Sequence, residues 1–279
     1  MKKSIMRATL PLKPSIVGSL AAIKKAGFDG IQLGITQPPL GELSLASTDA
    51  EVKQLRDACK EAGLDPHSLV GGVSFFYEDK AERQKAVEQA KRVFDIASIL
   101  GARTWLIHPG QLSAEVPYDA CWQYSLDGLN ALKARAEMTH LRIGLENVWN
   151  KFMMSPLEAR RLVEEVNSPQ VGIWFDIGNC VVFGYPEQWA RILNKHIVGV
   201  HIKDFKRGPS NHFGTVDGFV PLFHGSVNWQ AVMKQLVEVG FDDYLITEVS
   251  LGQQPLPQAL AEISRQLDTI ISLAPAPKT

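Results

Sequence analysis

A chain of 279 residues is long enough for one large α/β domain with a sizeable core, and residues 1–279 read as a single domain that loosens into a tail from about residue 273. Lysine and arginine total 29 against 30 aspartate and glutamate, a formal net charge of -1, so the broad positive field that a phosphate backbone demands is missing and nucleic acid is disfavoured as a partner. Cys59, Cys121 and Cys180 are odd in number and outside any CxxC pair, which argues against a disulfide scaffold or a thiolate zinc site and points to a reducing, cytoplasmic setting.

The start, Met1 to Leu10, lacks a sustained apolar segment because Arg7 interrupts it, and residues 4–10 read as a first strand. Ile16, Leu20, Ile23 and Ala26 then recur at helical spacing until Gly27, and a second apolar run follows at 30–35. The same alternation continues: a helix at about 47–62 before a strand at 65–70, a helix at about 80–100 before a strand at 103–108, and a helix at about 120–140 before a strand at 141–146. Gly27, Gly63 and Gly101 stand where a left-handed cap ends a helix. Pro156 suits a first helical turn, and the fifth helix it opens precedes Val171 to Asp176. A short helix at about 186–194 leads to a strand at 197–203, a helix at about 228–239 to a strand at 244–248, and a last helix at 257–272 completes the series. No apolar stretch approaches the roughly 20 residues needed to span a membrane, so no membrane partner is expected.

Eight strands rich in Ile, Val and Leu, each followed by a helix, predict a (β/α)8 TIM barrel, since a sheet buried on both faces needs strands with little polar alternation. An open doubly wound sheet is the competing architecture, but neither GxGxxG nor GxxxxGK[ST] occurs. In a barrel the C-terminal strand ends share one mouth, and the last four strands end in Glu146, Asp176, His201 and Glu248. Each alone has an ordinary reading: a carboxylate at a strand end can cap a helix or pair with arginine, and a histidine in an apolar strand is more often structural. Together they predict a site for one divalent ion, for which three carboxylates and an imidazole favour Mn²⁺, with Mg²⁺, Co²⁺ or Zn²⁺ also fitting. Two of these carboxylates, Glu146 and Glu248, would approach a substrate from opposite sides, which suits proton transfer next to a carbonyl through a metal-stabilised enediolate.

The order of short motifs resembles the xylose-isomerase-like barrel superfamily, and within it the L-ribulose-5-phosphate 3-epimerase, hexulose-6-phosphate isomerase and D-tagatose 3-epimerase groups. The residues that carry the resemblance are Gly27-Phe28-Asp29-Gly30-Ile31-Gln32, Glu146-Asn147, Phe175-Asp176-Ile177-Gly178-Asn179, His201-Ile202-Lys203-Asp204, Gly225-Ser226-Val227-Asn228-Trp229 and Leu245-Ile246-Thr247-Glu248. It implies a metal-dependent epimerase or isomerase of a ketose or ketose phosphate, with Glu146, Asp176, His201 and Glu248 on the ion, Glu146 and Glu248 exchanging the proton, and Arg207 on substrate oxygens. Two positions depart from the pattern: Gln32 stands where many relatives carry Glu, and Asn179 where ketose epimerases often place His.

Further substrate contacts are expected from His108 and His67 at the ends of strands four and three, from Asn179, and from Lys203, which with Lys206 and Arg207 could hold a terminal phosphate. Phe75-Phe76-Tyr77, Trp105, Trp122 and Trp149 read as core packing first and as a pocket wall second; His212 and His224 lie in or beside a loop at 205–226, which reads equally as a cover for the pocket and as ordinary surface. Two other functions compete. A non-catalytic, metal-containing carbohydrate-binding barrel is suggested by Gln32 and Asn179. An endonuclease IV-like nuclease would need a His after the strand-six Asp and Asp-Arg-His in the strand-seven loop, where this chain offers Asn179 and Ser210-Asn211-His212. The partner is thus a sugar or sugar phosphate, and assembly into a homo-oligomer stays open.

Overall fold

A computed structural model of the protein describes residues 1–36, 42–208 and 218–276. Eight parallel strands form a closed barrel: β1 (Lys2–Met6), β2 (Gly30–Ile35), β3 (Asp65–Gly71), β4 (Thr104–Ile107), β5 (Arg142–Glu146), β6 (Val171–Asp176), β7 (Ile197–Ile202) and β8 (Tyr244–Thr247). Ser4 pairs with both Gly30 and Ile246, which closes the ring between its first and last strands. Among the described residues, eight helices of eight residues or more follow the strands in turn: α1 (Ile16–Lys25), α2 (Asp49–Glu61), α3 (Lys80–Leu100), α4 (Tyr118–Thr139), α5 (Pro156–Val166), α6 (Pro186–Leu193), α7 (Trp229–Glu238) and α8 (Leu256–Ser272), with one further helical turn, Ile177–Cys180, directly after β6. The (β/α)8 expectation therefore holds. Among the described residues, no helix is long and apolar enough to cross a membrane.

Local chemistry explains the helix ends. Thr48 and Glu51 form a reciprocal capping box at the start of α2, and Ser155 accepts from the Glu158 amide with Pro156 in the first turn of α5. Gly101 caps α3 with φ of 79°, and Gly27 and Gly63 take the same left-handed region just past α1 and α2, as their positions predict.

The first strand is shorter than expected. It stops at Met6, and Arg7–Thr9 form a 3₁₀ turn. The reason is the Arg7 side chain, which is buried with two hydrogen bonds of 2.9 Å to the Glu42 carboxylate and a third to the Leu10 carbonyl; an extended residue 7 could not make all three. The stretch after α8 is described to residue 276, and residues 277–279 of the expected tail lie outside the described residues.

Two apolar cores result. The larger fills the space between strands and helices, and the smaller, Val70, Leu106, Trp174, Tyr244 and Ile246 with Met6 against them, occupies the barrel interior. Side chains alternate across each strand, so Trp174 on β6 and Ile246 on β8 lie on the inward face two residues before Asp176 and Glu248. The corresponding positions below Glu146 and His201 are Gly144 and Gly199. A Cβ at Gly199 would lie 2.6 Å from the Trp174 ring, and one at Gly144 would lie 3.1 Å from it. Two glycines thus make room for one indole beneath the mouth.

Gly199→Ala should consequently destabilise the fold by about 1–3 kcal/mol through overpacking against Trp174. Urea unfolding of variant and wild type gives the comparison; equal midpoints would show that the indole has room to shift.

Candidate metal centre

Glu146 and Asp176 are the last residues of β5 and β6, His201 is the penultimate residue of β7, and Glu248 directly follows β8. The Glu248 amide donates to the Ile202 carbonyl at 3.0 Å, which carries the β7–β8 pairing one step further and sets the height of its carboxylate. Asp176 and His201 are directly paired between β6 and β7. Because the four side chains share the inward parity, they meet: one ligand atom from each lies within 4.8 Å of the others. His201 Nδ1 is 3.2 Å from Glu146 Oε1, 3.0 Å from Glu248 Oε2 and 3.6 Å from Asp176 Oδ2. Glu146, Asp176 and His201 are buried, whereas the Glu248 side chain keeps 28% exposure, so the cluster opens on the β8 side.

The surrounding groups fix each ligand. Asp176 Oδ1 accepts from the Asn179 amide at 2.7 Å, which leaves Oδ2 for the cluster, where it is buried and has no hydrogen bond among the described residues. The Lys203 ammonium lies 3.0 Å from that oxygen, outside hydrogen-bond geometry, and 3.0 Å from Glu248 Oε2. His108 Nε2 hydrogen-bonds Glu146 Oε2, and Gln32 Oε1 lies 2.8 Å from His201 Nε2. Asn147 spans β5 and β6: its amide donates to the Asp176 carbonyl and its oxygen accepts from the Asp176 amide.

Electrostatics follow from this crowding. Burial alone would push the Glu146 carboxyl up, but hydrogen bonds from His108 and His201 hold it well below the usual carboxylate range. Glu248 is also lowered, burial being outweighed by His201 and Lys203. Asp176 is raised, because its burial exceeds the help from Lys203 and His201. Burial lowers and the three carboxylates raise His201, and the carboxylates win by a wide margin. Without an ion, then, a proton on Nδ1 is what balances the acids.

A divalent cation fits this donor set. Three carboxylates and an imidazole converge, one carboxylate oxygen is buried without a hydrogen-bond partner, and the far nitrogen of the imidazole is already engaged. Glu146, Asp176, His201 through Nδ1, and Glu248 would hold the ion.

The expected substrate contacts divide. Lys203 and His108 reach the cluster. Asn179 reaches it only through its backbone amide: its side chain donates to the Asn147 carbonyl and its carbonyl accepts from Trp149 Nε1, so it ties the β5 and β6 loops together. Arg207 turns away, donating to the carbonyls of Val181 and Gly184 and covering the Tyr185 ring at 4.4 Å. His67 is the third residue of β3, near its N-terminal end, where it hydrogen-bonds Ser4 Oγ at 2.8 Å and stacks on Tyr244 at 3.8 Å. Burial pushes its pKa down to about 3, which marks it as a neutral packing residue of the barrel floor and corrects its expected place at the mouth.

Phe75 and Trp105 pack in the core, as their first reading has it, with Trp105 against Phe94 of α3. The aromatic wall at the mouth comes from Trp149, Phe205 and Phe219, whose rings lie 5.0–5.5 Å apart. Phe219 belongs to a small antiparallel ribbon, Asp204–Phe205 with Phe219–Val220, which no local sequence signal announced. A cavity of about 620 Å³ opens beside this wall, lined by Thr9, Leu10, Lys203, Phe219, Glu248 and Gln254 among others. His224 is exposed, and His212 lies outside the described residues.

A cation that binds only the folded state should stabilise it by about 2.7 kcal/mol at a hundredfold excess over its dissociation constant, and His201→Ala should lose most of that gain. Elemental analysis and unfolding with and without chelator make the test. Unchanged ion content in the variant would refute the proposed coordination.

The site has known counterparts in overall architecture. A profile of the family described as xylose isomerase-like TIM barrel matches residues 20–270. The chain is 29% identical over 215 residues to a 2-epi-5-epi-valiolone 7-phosphate 2-epimerase of Actinoplanes sp., covering 75% of this chain and 76% of that one. It is 22% identical over 275 residues to the L-ribulose-5-phosphate 3-epimerase UlaE of Salmonella paratyphi A, covering 95% and 92%. Among solved structures, an IOLI protein with a bound zinc atom superposes with a TM-score of 0.82 at 22% identity over 98% of each chain. A match that spans β2 to α8, joined to a closed eight-stranded barrel, places this protein in the xylose isomerase-like TIM barrel family.

Proposed function

We propose that this protein is a metal-dependent epimerase or aldose–ketose isomerase, with Glu146 and Glu248 as the proton-exchanging pair. The observation that carries this reading is their placement on either side of His201 Nδ1, at 3.2 and 3.0 Å, with Glu248 facing the cavity. The family and the epimerase relatives support the same chemistry.

The residues divide the work. A ketose in the cavity presents a carbon next to its carbonyl to one carboxylate, which removes the proton; the other carboxylate returns a proton to the opposite face for epimerisation, or to the neighbouring atom for isomerisation. Lys203 holds Glu248 from one side and donates to developing negative charge on the substrate. His108, hydrogen-bonded to Glu146, steadies the second carboxylate. Trp149, Phe205 and Phe219 exclude water from one wall and offer an apolar face to the sugar's C–H surface. A bound divalent ion, Mn²⁺ by the donor set, supplies Lewis-acid polarisation of the substrate's carbonyl and hydroxyl oxygens.

Incubation of candidate ketoses in D₂O tests the reading, since epimerisation at C3 and isomerisation between C1 and C2 label different carbons. Glu146→Gln and Glu248→Gln should each lower exchange by about 10²–10⁴-fold while leaving the protein folded, as far-UV circular dichroism would show. Exchange at the wild-type rate in both variants would refute the assignment.

An unphosphorylated ketose fits the described cations better than a phosphate ester. Lys203 sits between two carboxylates, Arg207 is committed to two backbone carbonyls and Tyr185, and Lys206 is exposed. The segments 37–41 and 209–217 contain no lysine or arginine. The expected kcat/KM for a free ketose therefore equals or exceeds that for its phosphate, and Arg207→Ala changes their ratio by less than about threefold. A strong preference for the phosphate that collapses in Arg207→Ala would reverse this choice.

A further inference from the structure

Gln32 is the third residue of β2, fully buried, and paired in register with Met6 on one side and Ser68 on the other. Its side chain crosses the barrel interior to β7, where Oε1 meets His201 Nε2 at 2.8 Å. The other two sides of the imidazole are set as well: Nδ1 faces the three carboxylates, and Trp174 lies edge-on at 5.3 Å with an interplanar angle of 67°. Among the described residues the Gln32 amide nitrogen is buried with no hydrogen-bond partner. A buried amide left half-satisfied is destabilising, a loss that an apolar side chain of the same shape would avoid. The oxygen of Gln32 must return that cost elsewhere.

The imidazole shows where. A neutral histidine carries its proton on one ring nitrogen, and only the other can ligate an ion. An acceptor on Nε2 keeps the proton there and leaves the lone pair on Nδ1, the atom aimed at Glu146, Asp176 and Glu248. We propose that Gln32 is the positioning residue of the metal centre: it commits His201 to the Nε2–H tautomer and holds Nδ1 in ligating position. The proposal rests on the reading of the quartet as an ion site. Gln32 touches neither ion nor substrate and acts only through His201.

The test compares Gln32→Met, which keeps the volume and removes the acceptor, with Gln32→Glu, which keeps an acceptor. Titration of metal-free protein with Mn²⁺ by calorimetry should give an affinity about 10–100-fold weaker in Gln32→Met, while Gln32→Glu binds within about threefold of wild type or more tightly. In parallel, ¹H–¹⁵N long-range spectra of the Zn²⁺-loaded wild type should place the proton on His201 Nε2 and the ion on Nδ1. Equal Mn²⁺ affinity in wild type and Gln32→Met would overturn the positioning role and leave the ion site standing, whereas a proton found on Nδ1 of the loaded protein would overturn the positioning role together with coordination through Nδ1. Wild type that binds neither ion would overturn both. Should Gln32→Met fail to fold, the wild-type spectrum and the Gln32→Glu affinity still decide.

Discussion

Three carboxylates share one imidazole nitrogen at the C-terminal mouth of the barrel, and the difficulty of burying that much negative charge organises the structure around it. Isolated charges in such a place would either protonate or destabilise the fold. Here each receives a specific partner: His108 on Glu146, the Asn179 amide on Asp176, Lys203 between Asp176 and Glu248. These partners come from β4, from the turn after β6 and from the end of β7, so the loops cannot move independently of the site. The cluster is a structural element as much as a chemical one.

Its height above the barrel floor depends on packing. The Trp174 indole fills the interior just below the ligands because Gly144 and Gly199 on neighbouring strands leave it space. An indole there gives His201 an apolar edge and keeps water from reaching the ligands from beneath. With Trp174, Val70, Leu106, Tyr244 and Ile246 complete the plug, and His67, stacked on Tyr244, belongs to this floor. The barrel is therefore packed solid to the level of the quartet and open only above it, which confines any reactive step to the mouth.

The cations near the mouth serve the protein first. Lys203 compensates two acids, Arg207 joins the ribbon to the loop after β6, and Arg7 bends the chain after β1 by binding Glu42. Charge in the cavity is thus nearly spent before a substrate arrives. What remains for recognition is the rim of Glu248, the Lys203 ammonium, the aromatic wall and neutral polar groups, a lining suited to hydroxyls.

Much of this was legible in the chain itself. Runs of Ile, Val and Leu alternating with helical periodicity, punctuated by Gly27, Gly63 and Gly101, determined a (β/α)8 barrel, because those residues allow few other backbones. The barrel in turn sends all strand ends to one mouth, so Glu146, Asp176, His201 and Glu248 could be grouped from position alone. Parity and direction were beyond reach of that argument. The start of β3 at Asp65 is as expected, yet His67, only its third residue, lies at the floor and not at the mouth, and a long flexible cation such as Arg207 goes wherever the nearest carbonyls lie. The contact of Gln32 with His201 spans 169 positions and two non-adjacent strands, and the Trp149–Phe205–Phe219 wall joins loops with no common periodicity. The sequence by itself determined which groups gather at the mouth, because topology depends on local pattern; only the tertiary structure decided which of them face the site and which support it, because that depends on distances across the barrel that no local pattern encodes.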